Sequence, residues 1–392
     1  MSFPKMKLGE CAEIHSGSTP RTNNPDFWDG DITWVTPKDL SKLKSKFISK
    51  TESKITQLGF DSCSTKLLPE NSVLFSSRAP IGHVAINTIP MCTNQGFKSF
   101  VPKADLLDSQ YLYYWLKANK EYLQDLGVGA TFKEISKTVI ANVEIPLPPL
   151  SEQRRIASIL DQADELRQKR QQAIEKLDQL LQATFIDMFG DPEKNPKKWN
   201  KVVLGDICDQ KDRVNYGVVQ PGNEFEGGVP LIRVGDIDGG ILSFHLIKRI
   251  DPEIEKDYSR SRIKGNEVLV SCVGSIGTIA KVPNEAIGFN IARAITRVPL
   301  QDKRIINFVA ECLKTEAIQN YFKKNTRTVS QPTLNVSFVK ETEIIFPNEE
   351  KILDFCKIVD KVEFQKELLL KALVMQESLF QSLQNQAFNG TL

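Results

Sequence analysis

The sequence predicts an α+β protein. Two mixed α/β units alternate with two long helices, which pair as an intrachain antiparallel coiled coil with pseudo-twofold symmetry. Three observations predict this. A charged segment with apolar residues repeating in sevens starts at Ser151. A second such segment starts about half a chain later, near Asn348. Each is preceded by about 150 residues of strand-like runs punctuated by glycine.

Residues 1–150 carry strand-like runs at Ile32–Val35, Ser72–Phe75, Val84–Ile86 and Val139–Ile145, and one helix from Ser109 to Leu126. Residues 151–188 form the first long helix. Pro148 and Pro149 stop what precedes it, Ser151 supplies an N-cap, and Glu152 suits the positive end of the helix dipole. Its sevens are Ile156, Ala163 and Leu177, with Ile159, Leu166, Ala173 and Leu180 between them. Arg170 interrupts the seam. It either snorkels off the edge or fixes the register as a buried polar residue. Residues 189–200, FGDPEKNPKKWN, read as a linker. Residues 201–347 repeat the mixed pattern, with a helix from about Ile305 to Lys323. Residues 348–392 form the second long helix and a short tail.

The second helix repeats the first. Its sevens are Ile352, Val359, Lys366, Leu373, Phe380 and Ala387, alternating with Phe355, Val362, Leu369, Gln376 and Leu383. Ile352 lies 196 residues after Ile156, and Lys366 lies 196 residues after Arg170. The basic break therefore recurs. Pairing is expected to bring Ile156, Ile159, Leu166, Leu177 and Leu180 against Ile352, Phe355, Val362, Leu369 and Leu373. The duplication extends into the globular units. LGECAEI at Leu8 matches LGDICDQ at Leu204, DITWVTPKDL matches PLIRVGDI, and NSVLFSSRAPIG at Asn71 matches NEVLVSCVGSIG at Asn266. A helix of ~35 residues is ~52 Å long, which matches at most about 15 base pairs of duplex DNA.

Composition is that of a globular protein, 41% hydrophobic and 26% charged. No apolar N-terminal run resembles a signal peptide, and Val268–Ala280 is too short to span a bilayer, so a cytoplasmic location is expected. Seven cysteines stand singly among three histidines, which argues against structural zinc or a disulfide framework. A net charge of +2 excludes a uniformly basic binder but not one with a basic face.

The search for chemistry is mostly negative. No methyltransferase-type tetrapeptide and no phosphate-binding GxxxxGK[ST] loop occurs. Pro25-Asp26 and Glu52-Ser53-Lys54 form a loose PD…ExK pattern whose oxygens suit Mg²⁺, but it reads first as solvated surface. No cofactor and no metal is expected. The hairpin tips are more informative. Both units repeat the apolar frame and the Ile-Gly that follows, while Ser77-Arg78-Ala79-Pro80 in the first becomes Cys272-Val273-Gly274-Ser275 in the second. A common scaffold with different tips suits two readers of different sequences, and equally suits drift in exposed loops.

Tandem mixed units, two long helices and the opening IPLPPLSEQRRIASILDQADEL resemble the specificity subunit of Type I restriction-modification systems over essentially the whole chain. The resemblance implies that each unit is a target recognition domain reading half of a split, asymmetric site in double-stranded DNA. It implies that the helices set the spacing and carry two methyltransferase subunits, that endonuclease subunits join, and that this chain performs no chemistry. The second helix opens as IIFPNEEKI, without the Glu-Gln of the first, so the pseudo-twofold is imperfect there. Chemistry nominates Arg21, Lys38, Ser77, Arg78, Lys98 and Lys133 in the first unit as DNA-contacting, and Arg233, Ser271, Ser275, Arg293 and Arg327 in the second. Two other readings stand beside this one: a single-chain Mg²⁺-dependent nuclease, and a scaffold whose globular units bind protein.

Overall fold

A computed structural model describes residues 3–78, 80–129, 133–327 and 331–392. The chain divides into two compact units, and both long helices contribute to each. The first unit joins Met1–Gln171 to Lys371–Leu392, and the second is Gln172–Leu370. The principal helices are α1 (Ser109–Ala118), α2 (Leu150–Phe189), α3 (Ile306–Lys314) and α4 (Glu349–Asn389).

The first unit holds β1 (Ala12–Ser16), β2 (Trp28–Val35), β3 (Ser53–Ile55), β4 (Val73–Phe75), β5 (Val84–Asn87), β6 (Cys92–Thr93) and β7 (Lys98–Pro102). Strands β1-β7-β4-β5 form an antiparallel sheet, with Phe47–Ile48 added parallel to β5. A second sheet has the order β3-β2-β6, its last pair parallel. Helix α1 starts where Asp108 accepts from the Gln110 and Tyr111 amides at 2.9 and 3.1 Å. It stops at Asn119, whose side chain donates back to the Trp115 carbonyl. The helix expected over 109–126 is therefore two, the second being Lys120–Asp125. Val139–Ile145 is likewise not one strand, because Ser136 caps a short helix, Lys137–Ala141, ahead of the strand Glu144–Pro146.

The second unit holds β8 (Val229–Ile232), β9 (Lys248–Ile250), β10 (Glu267–Ser271), β11 (Ile279–Lys281), β12 (Asn290–Ile291) and β13 (Ile295–Pro299). Strands β13-β10-β11 repeat β7-β4-β5, and β9-β8-β12 repeats β3-β2-β6 with the same parallel last pair. Register repeats as well. Val73 faces Phe100 in the first unit, and Val268 faces Val298 in the second. The helix expected over 305–323 breaks at Thr315 into α3 and Glu316–Lys324.

The helices run antiparallel within each unit. In the first, Arg155 at the start of α2 donates to the Leu392 carbonyl at 2.9 Å, while Tyr111 packs edge-on against Phe388 of α4. In the second, Phe185 and Phe189 near the end of α2 pack on Phe355 near the start of α4, with ring centroids 5.5 and 5.4 Å apart. Lys366 does not interrupt this pairing idly: its ammonium meets both oxygens of Asp178 at 2.6 and 2.8 Å.

Part of the expected seam on α2 is wrong. Leu166 and Leu180 are 57% and 51% exposed, Ile159 and Leu177 are half-buried, and of the five only Ile156 is fully buried. The buried stripe lies one residue on, through Ala157, Leu160, Asp164, Ile174, Leu181 and Phe185. It escaped pattern reading because Asp164 and Arg167 sit in it, paired with each other at 2.6 Å. On α4, Ile352 and Phe355 are buried, and Val362, Leu369 and Leu373 are half-buried.

Gln153, of the SEQRR stretch, is fully buried and fixes α2 to the first unit. It accepts from the Asp108 amide and donates to the Leu106 and Pro148 carbonyls, all at 2.8 Å. Gln153→Ala leaves three backbone groups unpaired, one buried and two part-buried, and is expected to cost about 1–3 kcal/mol. A melting temperature unchanged from the parent protein would contradict that. At the equivalent point of α4, Glu349 instead pairs with Arg304 at 2.7 Å.

The 189–200 segment is held, not slack. Gly190 takes φ +81 and ends α2. Lys197 then donates to the Met188 carbonyl at 2.9 Å, and the Trp199 indole donates to the Phe189 carbonyl at the same distance.

Arg297 of β13 is fully buried in the second unit. It is ion-paired with Asp212, lies 3.3 Å from Glu267 and donates to the Arg262 carbonyl at 3.0 Å. Glu267 in turn accepts from the amides of Lys264, Gly265 and Asn266.

All seven cysteines are free and six are buried; burial pushes the Cys208 and Cys312 thiols up to about 12. Among the described residues, no helix is long and apolar enough to cross a membrane.

Candidate nucleic-acid interface

Each unit gathers five chain segments onto one edge through close backbone packing. In the first unit, the loop after β1 returns over the 93–96 turn. The Ser18 amide donates to the Thr93 carbonyl at 3.0 Å, and a Cβ on Gly17 would lie 1.8 Å from the Asn94 carbonyl oxygen. Only glycine permits that approach. Thr19 hydrogen-bonds Gln95. A Cβ on Gly96 would lie 3.2 Å from the Pro37 ring and 3.6 Å from the Arg78 side chain. The Ser77 amide donates to the Gly96 carbonyl at 2.7 Å, and the Ile135 amide to the Ser77 carbonyl at 3.0 Å. The loops bearing Arg21, Arg78 and Lys133 and the short helix Pro37–Ser41 bearing Lys38 are thus neighbours.

The second unit makes the same construction. A Cβ on Gly217 would lie 1.7 Å from the Ile291 carbonyl oxygen. Backbone amides donate hydrogen bonds from Ala292 to the Ile232 carbonyl, from Arg293 to that of Val218, from Cys272 to that of Ala294, and from Leu334 to that of Cys272, at 2.7–2.9 Å. The loops bearing Arg233, Ser275 and Arg293 meet there. Arg327, on the strand Thr326–Arg327, joins them through its pairing with Thr333.

The tip turns are closed identically. Ser76 Oγ donates to the Pro80 carbonyl and accepts from the His83 amide, both at 2.8 Å. Ser271 Oγ donates to the Ser275 carbonyl and accepts from the Thr278 amide at 2.8 Å. Gly82 and Gly277 take φ +105 and +83, which a residue with a Cβ adopts only with strain. Ala79 of the first tip and Ala130 of the GVGA stretch lie outside the described residues.

The nominated side chains divide by this geometry. Arg21, Lys38, Lys133, Ser275, Arg293 and Arg327 are exposed. Arg78 is half-buried, 3.5 Å from Glu134. Arg233 is exposed yet held by a forked contact to Asp236 at 3.1 and 3.0 Å. Three are corrected. Ser77 is fully buried and donates to the Gly96 carbonyl at 3.1 Å. Ser271 is fully buried as the turn-closing residue just described. Lys98 is buried and satisfied by Glu134 at 3.0 Å. These three build the tips and do not present themselves to a ligand. Sequence reading missed Glu134, and its position three residues before a helix start carries no signal for its role.

The PD…ExK pattern does not assemble a free acidic pair. Lys38 and Lys42 take the Glu52 carboxylate, and the hydrogen bond from Lys42 most strongly lowers its pKa from the usual value. Asp26 sits exposed in the short 3₁₀ turn Pro25–Phe27. Among the described residues, no cluster of three or more His, Cys, Asp or Glu is placed to hold a metal.

The sequence model of a family described as the Type I restriction modification DNA specificity domain matches residues 2–176 and 196–372. The MjaIX specificity subunit of a Type I restriction enzyme from Methanocaldococcus jannaschii is 32% identical over 385 residues, covering 92% of this chain and 86% of that one. The EcoBI specificity subunit from Escherichia coli is 28% identical over 331 residues, 77% and 70% of the two chains. In fold, the chain resembles the crystal structure of the Type I S subunit from M. genitalium, with TM-score 0.55 and 18% identity over 99% of this chain and 96% of that one.

Proposed function

The chain belongs to the Type I restriction modification DNA specificity family, and from that premise we propose that each unit reads one half of a bipartite, asymmetric DNA site. As a family member it is the non-catalytic DNA-recognition subunit of a Type I restriction-modification complex. It associates with methyltransferase and endonuclease subunits. The observation that carries the two-reader proposal is the repeated loop edge. The same backbone bonds recur in both units, while the side chains they present differ. Residues 1–150 and 201–347 serve as the two target recognition domains, and the cytoplasm as their location.

Base readers and phosphate contacts separate by exposure and freedom. Lys133, Arg293 and Arg327 are exposed cations on the rim and serve as phosphate contacts. Lys133→Ala is expected to lower affinity for every duplex and to reduce the salt slope by about one. The apolar residues left exposed on the long helices form the docking face for the methyltransferase subunits. They include Leu166 and Leu379 in the first unit, and Leu180, Phe364 and Leu368 in the second.

The test is binding of the chain with its methyltransferase subunit to duplexes carrying its methylation motif. Changing one base pair in either half should cost about 1–3 kcal/mol. Changing the letters between the halves should cost little. Equal losses at all positions would contradict two separate readers.

A further inference from the structure

The two tips share one frame but carry two different sets of side chains at matching positions. Strand register and the shared backbone bonds pair Ser77 with Cys272, Arg78 with Val273, Lys98 with Thr296, and Glu134 with Thr333. The Arg78 backbone pairs antiparallel with that of Glu134 where the Val273 backbone pairs with that of Thr333. In the first unit the set is ionic. Glu134 stands between the buried Lys98 ammonium at 3.0 Å and the Arg78 guanidinium at 3.5 Å. In the second the set is neutral. The Cys272 thiol and Thr296 hydroxyl are 3.1 Å apart in the interior, and half-buried Val273 stands beside Thr333.

A buried lysine held by Glu134 fixes that carboxylate in place. The carboxylate then limits where the Arg78 guanidinium can point, and 35% of the Arg78 side chain still reaches solvent. The planar fork of donors on the guanidinium matches the two acceptors of guanine in the major groove. Val273 offers only methyl groups, which match the C5-methyl of thymine.

Resting on the reading of each unit as a half-site reader, we propose that Arg78 and Val273 are the equivalent base-reading positions of the two units, and that Glu134 positions Arg78. The half-site of the first unit then holds a G·C pair where that of the second holds an A·T pair. Target asymmetry at this position follows from one exchanged set of side chains on a duplicated backbone.

The experiment maps methylated bases genome-wide in a host without such methylation, which expresses the chain together with the methyltransferase subunit of its complex. Arg78→Val should reduce the preference for G·C at one position of one half by about 5- to 150-fold and leave the other half intact. Arg78→Lys keeps the charge but loses the fork, and should relax the same position. Glu134→Gln should weaken that same preference, whereas a purely structural role lowers methylation at all sites without changing the motif. Val273→Arg should alter one position in the other half. A motif unchanged by Arg78→Lys and by Val273→Arg overturns the proposal, even if Arg78→Val abolishes methylation. An unsubstituted chain that directs no split motif overturns the half-site reading itself, and the proposal with it.

Discussion

Arg297→Ala is expected to destabilise the second unit by about 3–5 kcal/mol. A domain is held by only about 5–15 kcal/mol in total, so this is a large fraction. Arg297 is fully buried between Asp212 and Glu267. Removing it leaves two buried carboxylates without the guanidinium that pairs with both. Lys264, 2.9 Å from Asp212, compensates one of them, and the three backbone amides around Glu267 support the other. The first unit shows that the fold does not require this charge. At the positions matching Glu267 and Arg297 it carries buried Ser72 and Ser99. Arg297→Met combined with Glu267→Gln should therefore lose less than the two single changes together. Denaturant titration of the four proteins measures this. Strict additivity would show that the pair does not interact.

Leu379→Asp is expected to break assembly with the methyltransferase subunit while leaving the chain folded. Leu379 is 56% exposed on α4, and Met375, one turn earlier, is 73% exposed. Neither contributes to the packed core, so an aspartate there costs the isolated chain little. At a docking face it places a charge in a desolvated apolar centre, where single positions commonly carry at least about 2 kcal/mol. That is about a 30-fold weaker complex. Phe364→Asp makes the same test in the second unit, where Phe364 is 58% exposed. Co-purification at unchanged yield for both variants would place the docking face elsewhere.

The helices illustrate what a sequence pattern can and cannot reveal. Their existence, length and duplication were readable because the seven-residue spacing and the Pro148-Pro149 stop are local signals. The buried stripe of α2 was not, because two adjacent stripes compete. The more regular one includes Leu166 and Leu180, which face outward, while the buried one tolerates Asp164 and Arg167 because they pair with each other. The breaks at Asn119 and Thr315 were missed for a related reason. Each is made by a short polar side chain bonding back to a carbonyl, Asn119 to that of Trp115 and Thr315 to that of Cys312.

The same limit governs the recognition edge. Exposed cations such as Arg21, Lys133 and Arg327 could be nominated by residue type. The burial of Ser77, Ser271 and Lys98 depends on partners distant in sequence: Gly96 for Ser77 and Glu134 for Lys98. The matching tip register, by contrast, was already visible as NSVLFSSRAPIG against NEVLVSCVGSIG.

The most direct measurement is a genome-wide map of methylated bases in cells with this chain and in otherwise identical cells lacking it. The account predicts one motif made of two different defined blocks separated by an unread spacer, present with the chain and absent without it. A continuous motif, two identical blocks, or a pattern indifferent to the chain would contradict it.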